Sequence, residues 1–287
     1  MPRLALLYDR IRWEEKELYR KAKEKGIELK LVDAKSKVAD PYIDAEAVRR
    51  LYGDLVLQRC ISHMRGLHYT AYLESMGLRV INSFKVQNLC GNKALTSLFL
   101  IKKGIPTPRT LLAFSQEAAG DAVERIGYPA VIKPVIGSWG RMVLALKDRE
   151  VAQAILEMRG SMQGPFDSIF YIQEFVKRPP RDIRAIVVGD EVVSCIYRYA
   201  SSKDWRTNVA RGGRAEACPI DDGLEDLVLR VADELGGGVL GVDLMEGESG
   251  LLVHEVNSTV EFRGAASVSG RDIAGAILDY ALKEAKR

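Results

Sequence analysis

The sequence predicts an α/β protein in which a small parallel domain precedes a larger part built on antiparallel strands. The first observation is a β-α-β-α-β alternation over residues 1–85, which is typical of a parallel sheet flanked by helices. The second is a pair of apparent strands on either side of a glycine-bearing loop at 137–141. The third is the segment 238–263, where two apolar runs flank the polar turn EGESG and predict a β-hairpin with a five-residue loop.

Composition indicates a globular protein with two or three domains rather than a membrane or nucleic-acid-binding protein. The chain has 287 residues, of which 47% are hydrophobic, and a formal net charge of +3. That charge is too small to indicate a nucleic-acid partner, and no apolar run approaches the ~18 residues of a membrane span. The four cysteines form no C-x-x-C pair, so neither a zinc site nor a disulfide framework is indicated. Free thiols favour a reducing, cytoplasmic setting.

The first 85 residues are predicted to form the parallel sheet. Strand-like runs and helical periodicity alternate here, in the order strand 3–8, helix 9–26, strand 27–34, helix 45–51, strand 54–62, helix 67–76 and strand 78–82. The loop after the first strand, DRIRWEE, should lie at the carboxyl end of the sheet, where open α/β sheets usually bind ligands.

The rest of the chain is predicted to divide into a central domain at 86–172 and a C-terminal domain at 173–287. Helical periodicity with glycine and proline boundaries predicts helices at 91–104, 116–126, 149–159, 224–236 and 271–285. Alternating apolar runs predict strands on both sides of the glycine-bearing loop, at 169–176 and in a hairpin at 181–200. Residues 201–214 are polar and glycine-bearing and are predicted to form a functional loop.

Polar residues interrupt the two strands of the predicted C-terminal hairpin. Asp243 lies in the first strand, and Glu255 and Asn257 share a face of the second, because strand side chains alternate. A hairpin centred on Glu248 places Asp243 near Val253, diagonal to Glu255 and within reach of a shared ion. Two carboxylates and an amide oxygen are hard ligands suited to Mg²⁺, and buried carboxylates without a partner are costly. The sequence favours a magnesium site over the alternative, a solvated edge hairpin with scattered charges.

A lysine inside a strand and the glycine-bearing loop after it indicate an anion site. Lys133 interrupts the apolar strand PAVIKPV, and a lysine there needs an anionic partner, which a nucleotide phosphate supplies. Glycines let backbone N–H groups approach a phosphate closely. The loop residues are Gly137, Ser138, Trp139, Gly140 and Arg141. On its own the loop is equally compatible with a plain hairpin turn. Lys93 is a second candidate, although a lysine near the first turn of a helix is usually solvated.

Four residues at the end of one strand are candidates for contacting an adenine ring. They are Gln173, Glu174, Phe175 and Val176. Alternating backbone groups in this segment can read an adenine edge, with the aromatic side chain against the ring. An ordinary strand end is the better interpretation of the segment in isolation.

Two arginines and an asparagine complete the polar candidates. Arg184 lies in mid-strand on the same face as Asp182, and Arg198 lies at a strand end. Buried arginines either pair with acids or bind phosphate and carboxylate groups, and the sequence leaves both open. Asn208, in the polar loop, is a further hydrogen-bonding candidate. His254 alternates away from the face that carries the acids and is predicted to be a packed strand residue.

Taken in chain order, these residues resemble the ATP-grasp superfamily across nearly the whole chain. Each residue is a weak signal alone, and the ordered set is specific. Within the superfamily, the chain is similar to the branch that contains RimK and the LysX and ArgX ligases of carrier-dependent lysine and arginine biosynthesis. The segments that carry this second likeness are YDRIRWEEK near the start, QRCIS at 58–62, DWRTN at 204–208 and VNSTVEFRG at 256–264.

The resemblance implies an ATP-grasp fold with an N-terminal Rossmann-like (pre-ATP-grasp) domain. ATP would lie between the central and C-terminal domains. Lys93 and Lys133 would hold its phosphates, and the loop at 137–143 would close over them. Residues 173–176 would contact the adenine, and the three oxygen donors of the C-terminal hairpin would coordinate two Mg²⁺ ions.

The resemblance also implies a reaction and its partners. In this branch the side-chain carboxylate of the C-terminal glutamate of a small acidic carrier, LysW, is phosphorylated, and the α-amino group of 2-aminoadipate or glutamate attacks the acyl phosphate. Arg184, Arg198 and Asn208 would act in catalysis: Arg184 also contacts ATP, and the other two contact the substrate. The remaining implied substrate contacts are Ser258, Thr259, Arg263, Gly264 and Ala265. A homodimer or homotetramer is expected.

Two residues after the EFR segment depart from the branch. LysX-like members tend to Asn-Thr there and ArgX-like members to Gly-Phe, whereas this chain has Gly264-Ala265. A small alanine in place of phenylalanine leaves a roomier pocket, so we hypothesise a ligase that accepts both aminoadipate and glutamate. One methylene is worth only ~1–3 kcal/mol, so dual use is physically easy. The alternatives are a RimK-like ligase that adds glutamate to another protein tail and a non-catalytic nucleotide-binding module.

Overall fold

The computed structural model describes residues 2–200 and 214–287. The strands in this part of the chain are Leu4–Tyr8 (β1), Leu29–Asp33 (β2), Leu55–Gln58 (β3), Arg79–Ile81 (β4), Thr110–Ala113 (β5), Ala130–Lys133 (β6), Leu144–Leu146 (β7), Phe170–Glu174 (β8), Arg181–Val188 (β9), Glu191–Tyr199 (β10), Arg214–Ala217 (β11), Val239–Gly247 (β12) and Gly250–Asn257 (β13). The helices are Trp13–Glu24 (α1), Ala45–Tyr52 (α2), His63–Ser75 (α3), Phe84–Gly91 (α4), Lys93–Lys102 (α5), Gln116–Ile126 (α6), Arg149–Gly160 (α7), Asp222–Leu235 (α8), Arg263–Ser269 (α9) and Ile273–Ala285 (α10), with one 3₁₀ turn at Ala34–Ser36.

The first sheet is parallel, in the order β2-β1-β3-β4, as the strand–helix alternation predicts. Its central strands bury both faces, so their side chains alternate between two cores. Leu4 and Leu6 pack on the side of α1 and α10, whereas Ala5 and Leu7 pack on the side of α2 and α3. The C-terminal helix α10 therefore packs against the first sheet and also against the third sheet, which is described below.

The second sheet has the order β5-β8-β6-β7 and is antiparallel, with α6 and α7 packed on one face. The third sheet, β11-β10-β9-β12-β13, is also antiparallel. One face of the third sheet packs on α8, and the other face contributes to the core that includes α10. Among the described residues, no helix combines the length and apolar character needed to cross a lipid bilayer.

The C-terminal hairpin differs from its predicted register. Its loop has two residues rather than five, because Gly247 pairs with Gly250. Asp243 pairs directly with Glu255, and Leu244 pairs with Val253, so the predicted pairing of Asp243 with Val253 was wrong. His254 is the extra residue of a β-bulge, a local irregularity that strict alternation cannot anticipate.

Two helices were missed by the sequence patterns. Helix α4 begins after Ser83, whose side chain accepts a hydrogen bond from the Val86 amide at 3.4 Å. Helix α5 begins after Asn92, whose side chain caps it, and spans Lys93–Lys102. The observed helix is therefore shorter than the predicted one at 91–104, and it directly follows α4. Helix α9, the second missed helix, begins at Arg263, the last residue of the EFR segment, and carries Gly264 and Ala265.

Asn82, directly after β4, joins the first sheet to the third. Its amide nitrogen donates to the carbonyl oxygens of Val239 at 2.7 Å and Ser258 at 2.6 Å, and its oxygen accepts from the Val239 amide at 2.7 Å. The residue is 3% exposed, and Gly238 leaves room for it: a Cβ on Gly238 would lie 1.9 Å from the Asn82 side-chain oxygen. Asn82 therefore fixes the strand that carries Asp243 against the N-terminal sheet.

The N82A substitution should lower the free energy of unfolding by about 2–4 kcal/mol, because it leaves buried backbone groups without partners. Denaturant titration measures the change. K85A, an exposed substitution on the neighbouring helix, is the control and should stay within about 0.5 kcal/mol of the unsubstituted protein. An unchanged unfolding midpoint for N82A would contradict the bridging role.

Candidate active site

One large cavity, of about 1710 Å³, collects nearly all of the sequence-predicted site residues. Its walls come from the second sheet with its glycine-bearing loop, from the third sheet, and from the N-terminal domain. The predicted residues that line it are Lys93, Lys133, Gly137, Ser138, Trp139, Gly140, Arg141, Gln173, Glu174, Phe175, Val176, Arg184, Arg198, Asp243, Glu255, Asn257, Ser258, Thr259, Arg263, Gly264 and Ala265. Asn208 lies outside the described residues.

Four charged side chains form a buried network across neighbouring strands β10, β9 and β12. Arg184 donates two hydrogen bonds to Asp243, at 2.6 and 2.7 Å. Arg198 donates two to Asp182, both at 2.7 Å, and its Nη2 also lies 3.0 Å from Asp243 Oδ2. Sequence reasoning placed Asp182 beside Arg184 and did not select it as a site residue. The structure makes it the carboxylate that orients Arg198.

The network sets the charge of Asp243. Burial alone would raise the pKa of this carboxyl, but the two adjacent guanidinium groups outweigh burial and hold the pKa well below its usual range. The same balance lowers the pKa of Asp182 beside Arg198. Asp243 is therefore an ionised carboxylate, which is the form that binds a cation.

The three predicted metal ligands lie together and provide two carboxylate groups and one amide. Asp243 and Glu255 are paired across β12 and β13, and Asn257 is two residues further along the same face. Glu255 has Lys93 Nζ at 3.7 Å. The Asn257 amide is best turned so that its nitrogen donates to Glu255 at 3.3 Å and its oxygen accepts from Arg184 at 3.2 Å.

This donor set fits Mg²⁺ that is shared with phosphate. Within the described ranges, no group of three His, Cys, Asp or Glu side chains could hold a metal ion, and the predicted ligand set has two carboxylates and one amide. Mg²⁺ is commonly bound in this way, by one or two carboxylates with phosphate oxygens and water completing the shell. Arg184 and Lys93 contact these carboxylates, so each carboxylate already has a cationic partner that a metal ion would have to displace or share.

Lys133 is buried without a carboxylate partner among the described residues. It is 7% exposed, its Nζ donates to Gln173 Oε1 at 2.6 Å, and it lies 5.8 Å from the centre of the Tyr171 ring. Burial lowers its pKa to about 8, with the positive charge of Lys93 acting in the same direction and Glu255 opposing. A buried cation that contacts an amide oxygen and lies over an aromatic ring, with no carboxylate partner in the described part of the chain, is stabilised by an anionic ligand.

The glycine-bearing loop lies over this pair of lysines. Lys93 Nζ donates to the Gly137 carbonyl oxygen at 2.8 Å, which fixes the start of the loop. Trp139 has a φ of 58°, and its Nε1 donates to Glu261 Oε1 at 3.4 Å. Arg141 stacks over the Trp139 ring, with 5.1 Å from its guanidinium carbon to the ring centre. The loop is thus connected to the segment that carries the predicted substrate residues.

A charged wall of the N-terminal domain faces the same segment. Arg12 pairs with Glu261 at 3.0 Å and with Glu15 at 2.9 Å, and the Glu15 carboxylate also accepts from Arg59 Nε at 3.1 Å. Sequence reasoning assigned the loop DRIRWEE to ligand binding but selected no residue in it. The Arg12–Glu261 pair joins residues that are 249 positions apart in the chain, so local sequence patterns did not identify it.

His254 faces the cavity, so its predicted orientation was wrong. The bulge at His254 shifts the alternation, which puts Val253 and Val256 in the core behind the sheet and leaves His254 on the side of Glu255. Its Nε2 lies 3.9 Å from Asp182 Oδ2. Burial lowers the pKa of His254 to about 4, so the ring is neutral at pH 7.

The two residues after the EFR segment lie in different surroundings. Ala265 is 2% exposed and packs in the core with Phe262 and Ile273. Gly264 lines the cavity, and a Cβ added there would meet no atom within 4 Å. Both residues line the cavity, and Gly264 has open space for a larger side chain or a substrate.

Comparison with known families assigns both parts of the chain. Residues 4–89 match the LysX preATP-grasp domain, and residues 90–281 match the RimK-like ATP-grasp domain. The alpha-aminoadipate–LysW ligase LysX of Sulfolobus acidocaldarius is 39% identical over 275 residues, which cover 94% of this chain and 97% of the relative. The glutamate–LysW ligase ArgX of the same organism is 37% identical over 279 residues, covering 97% of each chain.

A solved structure shows the same fold. The crystal structure of a RimK domain ATP-grasp protein from Sphaerobacter thermophilus superposes with a TM-score of 0.81 at 28% identity. The match covers 98% of this chain and 99% of that one. The fold of this chain is therefore shared with an experimentally determined structure.

The K133M substitution should separate the stability of the ligand-free protein from nucleotide binding. Because the pKa of Lys133 in the folded protein is lower than the ordinary value of 10.5, the charged lysine destabilises the folded state at pH 7. The free energy of unfolding of K133M should therefore equal that of the unsubstituted protein or exceed it by up to about 3 kcal/mol. Mg-ATP should no longer stabilise the variant.

The sign of the pH dependence provides a second test. The Lys133 penalty disappears as pH rises from about 8 toward 10.5, so the stability advantage of K133M should shrink over that interval. Denaturant titrations at pH 7, 8 and 9.5 measure it, with the exposed K147M as the matched control. An advantage that is constant with pH would contradict the assigned pKa.

Proposed function

The chain belongs to the RimK-like ATP-grasp family, and from this premise we propose that it joins an acidic amino acid to the carrier protein LysW. It is an ATP-dependent carboxylate–amine ligase and uses ATP and Mg²⁺. The acceptor is the side-chain carboxylate of the C-terminal glutamate of LysW. The amine is the α-amino group of 2-aminoadipate, glutamate or both, which places the enzyme in lysine and arginine biosynthesis.

The observation that carries this proposal is the pairing of two charge systems across one cavity. Lys93 and Lys133 lie under the glycine-bearing loop, and the arginine-bound carboxylates lie on the third sheet, where Glu255 is 3.7 Å from Lys93 Nζ. A carboxylate is a poor acyl donor, so its oxygen first attacks the γ-phosphorus of ATP and ADP leaves. The amine nitrogen then attacks the acyl carbon, phosphate leaves, and the amine proton passes to solvent.

The residues of the chain supply position and charge in this reaction. Lys93 and Lys133 hold the phosphates, and residues 173–176 hold the adenine. Arg184 and Arg198 stabilise the charge that develops on the transferred group, and Asn208 is proposed to assist them. Asp243, Glu255 and Asn257 are proposed to hold two Mg²⁺ ions, which neutralise the phosphate oxygens when bound. No nucleophilic side chain is required.

Closure of the loop at 137–143 protects the acyl phosphate from water. The Trp139–Glu261 hydrogen bond supports this role, since it connects the loop to the segment 256–264 on the opposite wall. Ser258, Thr259, Arg263 and Gly264 are proposed to contact the amino acid or the carrier tail, because they line the cavity beside that connection.

The remaining parts of the proposal concern the setting of the enzyme. We propose a cytoplasmic homodimer or homotetramer. The alternative is a RimK-like ligase that adds glutamate to a different protein tail. Two assays of ADP release separate these functions, one with LysW and aminoadipate and the other with a ribosomal protein tail and glutamate. A non-catalytic module is disfavoured, because such a protein would be under no constraint to keep a complete ligand set.

The E255A substitution should abolish ADP formation while the fold is kept, since the Glu255 side chain is 26% exposed and its ion-pair partner, Lys93 Nζ, is 3.7 Å away. D243A should also abolish turnover but lower stability, because it leaves Arg184 and Arg198 without their shared carboxylate. Coupled-enzyme ADP assays and thermal unfolding measure both effects. E248A, at the exposed turn of the same hairpin, is the control and should turn over normally.

The specificity hypothesis predicts that 2-aminoadipate and glutamate have kcat/KM values within about tenfold of each other, since one methylene is worth ~1–3 kcal/mol. Initial rates with LysW and each acid measure the ratio. A thousandfold preference for either acid would reject dual use. G264N should lower the rate with the longer acid first, because its side chain would extend into open space in the cavity.

A further inference from the structure

Two cysteines, Cys195 and Cys218, lie opposite each other on the third sheet, away from the cavity. The pairing of β10 with β11 matches Ile196 to Ala217, so the next position matches Cys195 to Cys218. A backbone hydrogen bond from the Cys218 amide to the Cys195 carbonyl oxygen, at 3.0 Å, continues the pairing to this position. Opposed side chains in an antiparallel pair share a face, and both cysteines are buried in the core that includes α8.

The separation of the two cysteines suits a covalent bond between them. Both are free thiols in the structure, and the thiols hydrogen-bond to each other. Directly opposed residues of antiparallel strands have Cα atoms about 4.5–5.5 Å apart, and a disulfide spans Cα separations of about 4.4–6.8 Å. A disulfide at this position is therefore compatible with the observed strand pairing.

The surroundings make Cys218 the more reactive thiol of the pair. Hydrogen bonds from the Cys195 thiol and the Tyr197 hydroxyl lower the pKa of Cys218 to about 7, against the opposing effect of burial. The hydrogen bond between the thiols, together with burial, raises the pKa of Cys195. Cys218 directly follows β11, the edge strand of the sheet, where local opening exposes a side chain most readily.

The other two cysteines, Cys60 and Cys90, provide an internal contrast. Burial raises the pKa of each thiol to about 12. The thiolate is the nucleophile in disulfide exchange, so these two residues are far less reactive at pH 7 than Cys218.

We propose that Cys195 and Cys218 are a redox modification site, at which a low-molecular-weight disulfide converts the pair to a cross-strand disulfide. The Cys218 thiolate attacks one sulfur of the small disulfide, whose S–S bond breaks, and the departing thiolate takes a proton from water. The Cys195 sulfur then attacks Cys218 Sγ, and the second small thiol leaves with the Cys195 proton. Two protein thiols are thereby oxidised, and the small disulfide is reduced to two thiols.

The new bond ties the edge strand β11 to β10, the strand that carries Arg198. Cys195 is three positions from Arg198, so the two side chains point to opposite faces of the strand and the disulfide lies behind the cavity. This inference concerns the thiols alone and does not rest on the proposed function.

Mass spectrometry of the full, folded chain after equilibration with glutathione and glutathione disulfide at pH 7 tests the site. The remaining thiols are alkylated in denaturant before digestion. With glutathione disulfide in excess, most of the protein should give a cross-linked peptide pair that contains Cys195 and Cys218, while Cys60 and Cys90 are recovered alkylated. Dithiothreitol should restore both thiols. The oxidised protein should unfold about 5 °C or more above the reduced protein, because the cross-link restricts the unfolded chain.

Three variants assign the roles of the two thiols. C195A should stop after the first step and accumulate a glutathione adduct on Cys218, and its unfolding temperature should not rise on oxidation. C195S keeps a hydroxyl group that can donate to Cys218 and should give the same adduct. C218A should leave Cys195 unmodified, because the reactive thiol of the pair is missing.

Several results would overturn the inference. The absence of the Cys195–Cys218 cross-link from the unsubstituted protein with glutathione disulfide in excess is the most direct. A cross-link that forms only when denaturant is present during oxidation would show that the folded pair does not react. A glutathione adduct that persists on Cys218 in the unsubstituted protein as it does in C195A would show that Cys195 does not complete the exchange.

Discussion

The ion-pair network of Asp182, Arg198, Asp243 and Arg184 is the interaction on which the rest of the site depends. Direct strand pairing puts Arg198 opposite Asp182 and Arg184 opposite Asp243, so each charge lies against the opposite charge. Removing one member would leave a buried charge without its partner, which is far more costly than the pair itself is stabilising. The network therefore fixes the register of three strands, and through it the position of every cavity residue on them.

The network also explains how carboxylates persist in a largely buried sheet. Asp243 is 3% exposed, and it stays ionised because two guanidinium groups bond to it. A nucleotide with Mg²⁺ would enter a site whose negative and positive groups are already ordered. Such ordering before the ligand arrives reduces the reorganisation that the reaction itself must supply. Lys133 is the counterpart on the other wall: its buried charge lowers stability in the absence of an anion.

Glu261 connects the three parts of the structure. Its carboxylate accepts from Trp139 of the glycine-bearing loop and pairs with Arg12 of the N-terminal domain. Arg12 in turn shares Glu15 with the buried Arg59. The residue itself is 42% exposed, so these contacts can rearrange at little cost when a substrate occupies the segment beside it. This arrangement gives a physical route by which substrate and loop could influence each other.

Local pattern was sufficient for the fold class, and most of the candidate residues that it selected line one cavity. Strand–helix alternation predicts the parallel sheet, and polar residues inside apolar strands identify Lys133, Asp243 and Glu255, because such residues are rare without a ligand. Only the tertiary structure decided which carboxylate each arginine binds, since those pairs join strands far apart in the chain. It also decided the orientation of His254, because a single-residue bulge reverses which face a side chain occupies without changing the hydrophobic pattern that the sequence displays.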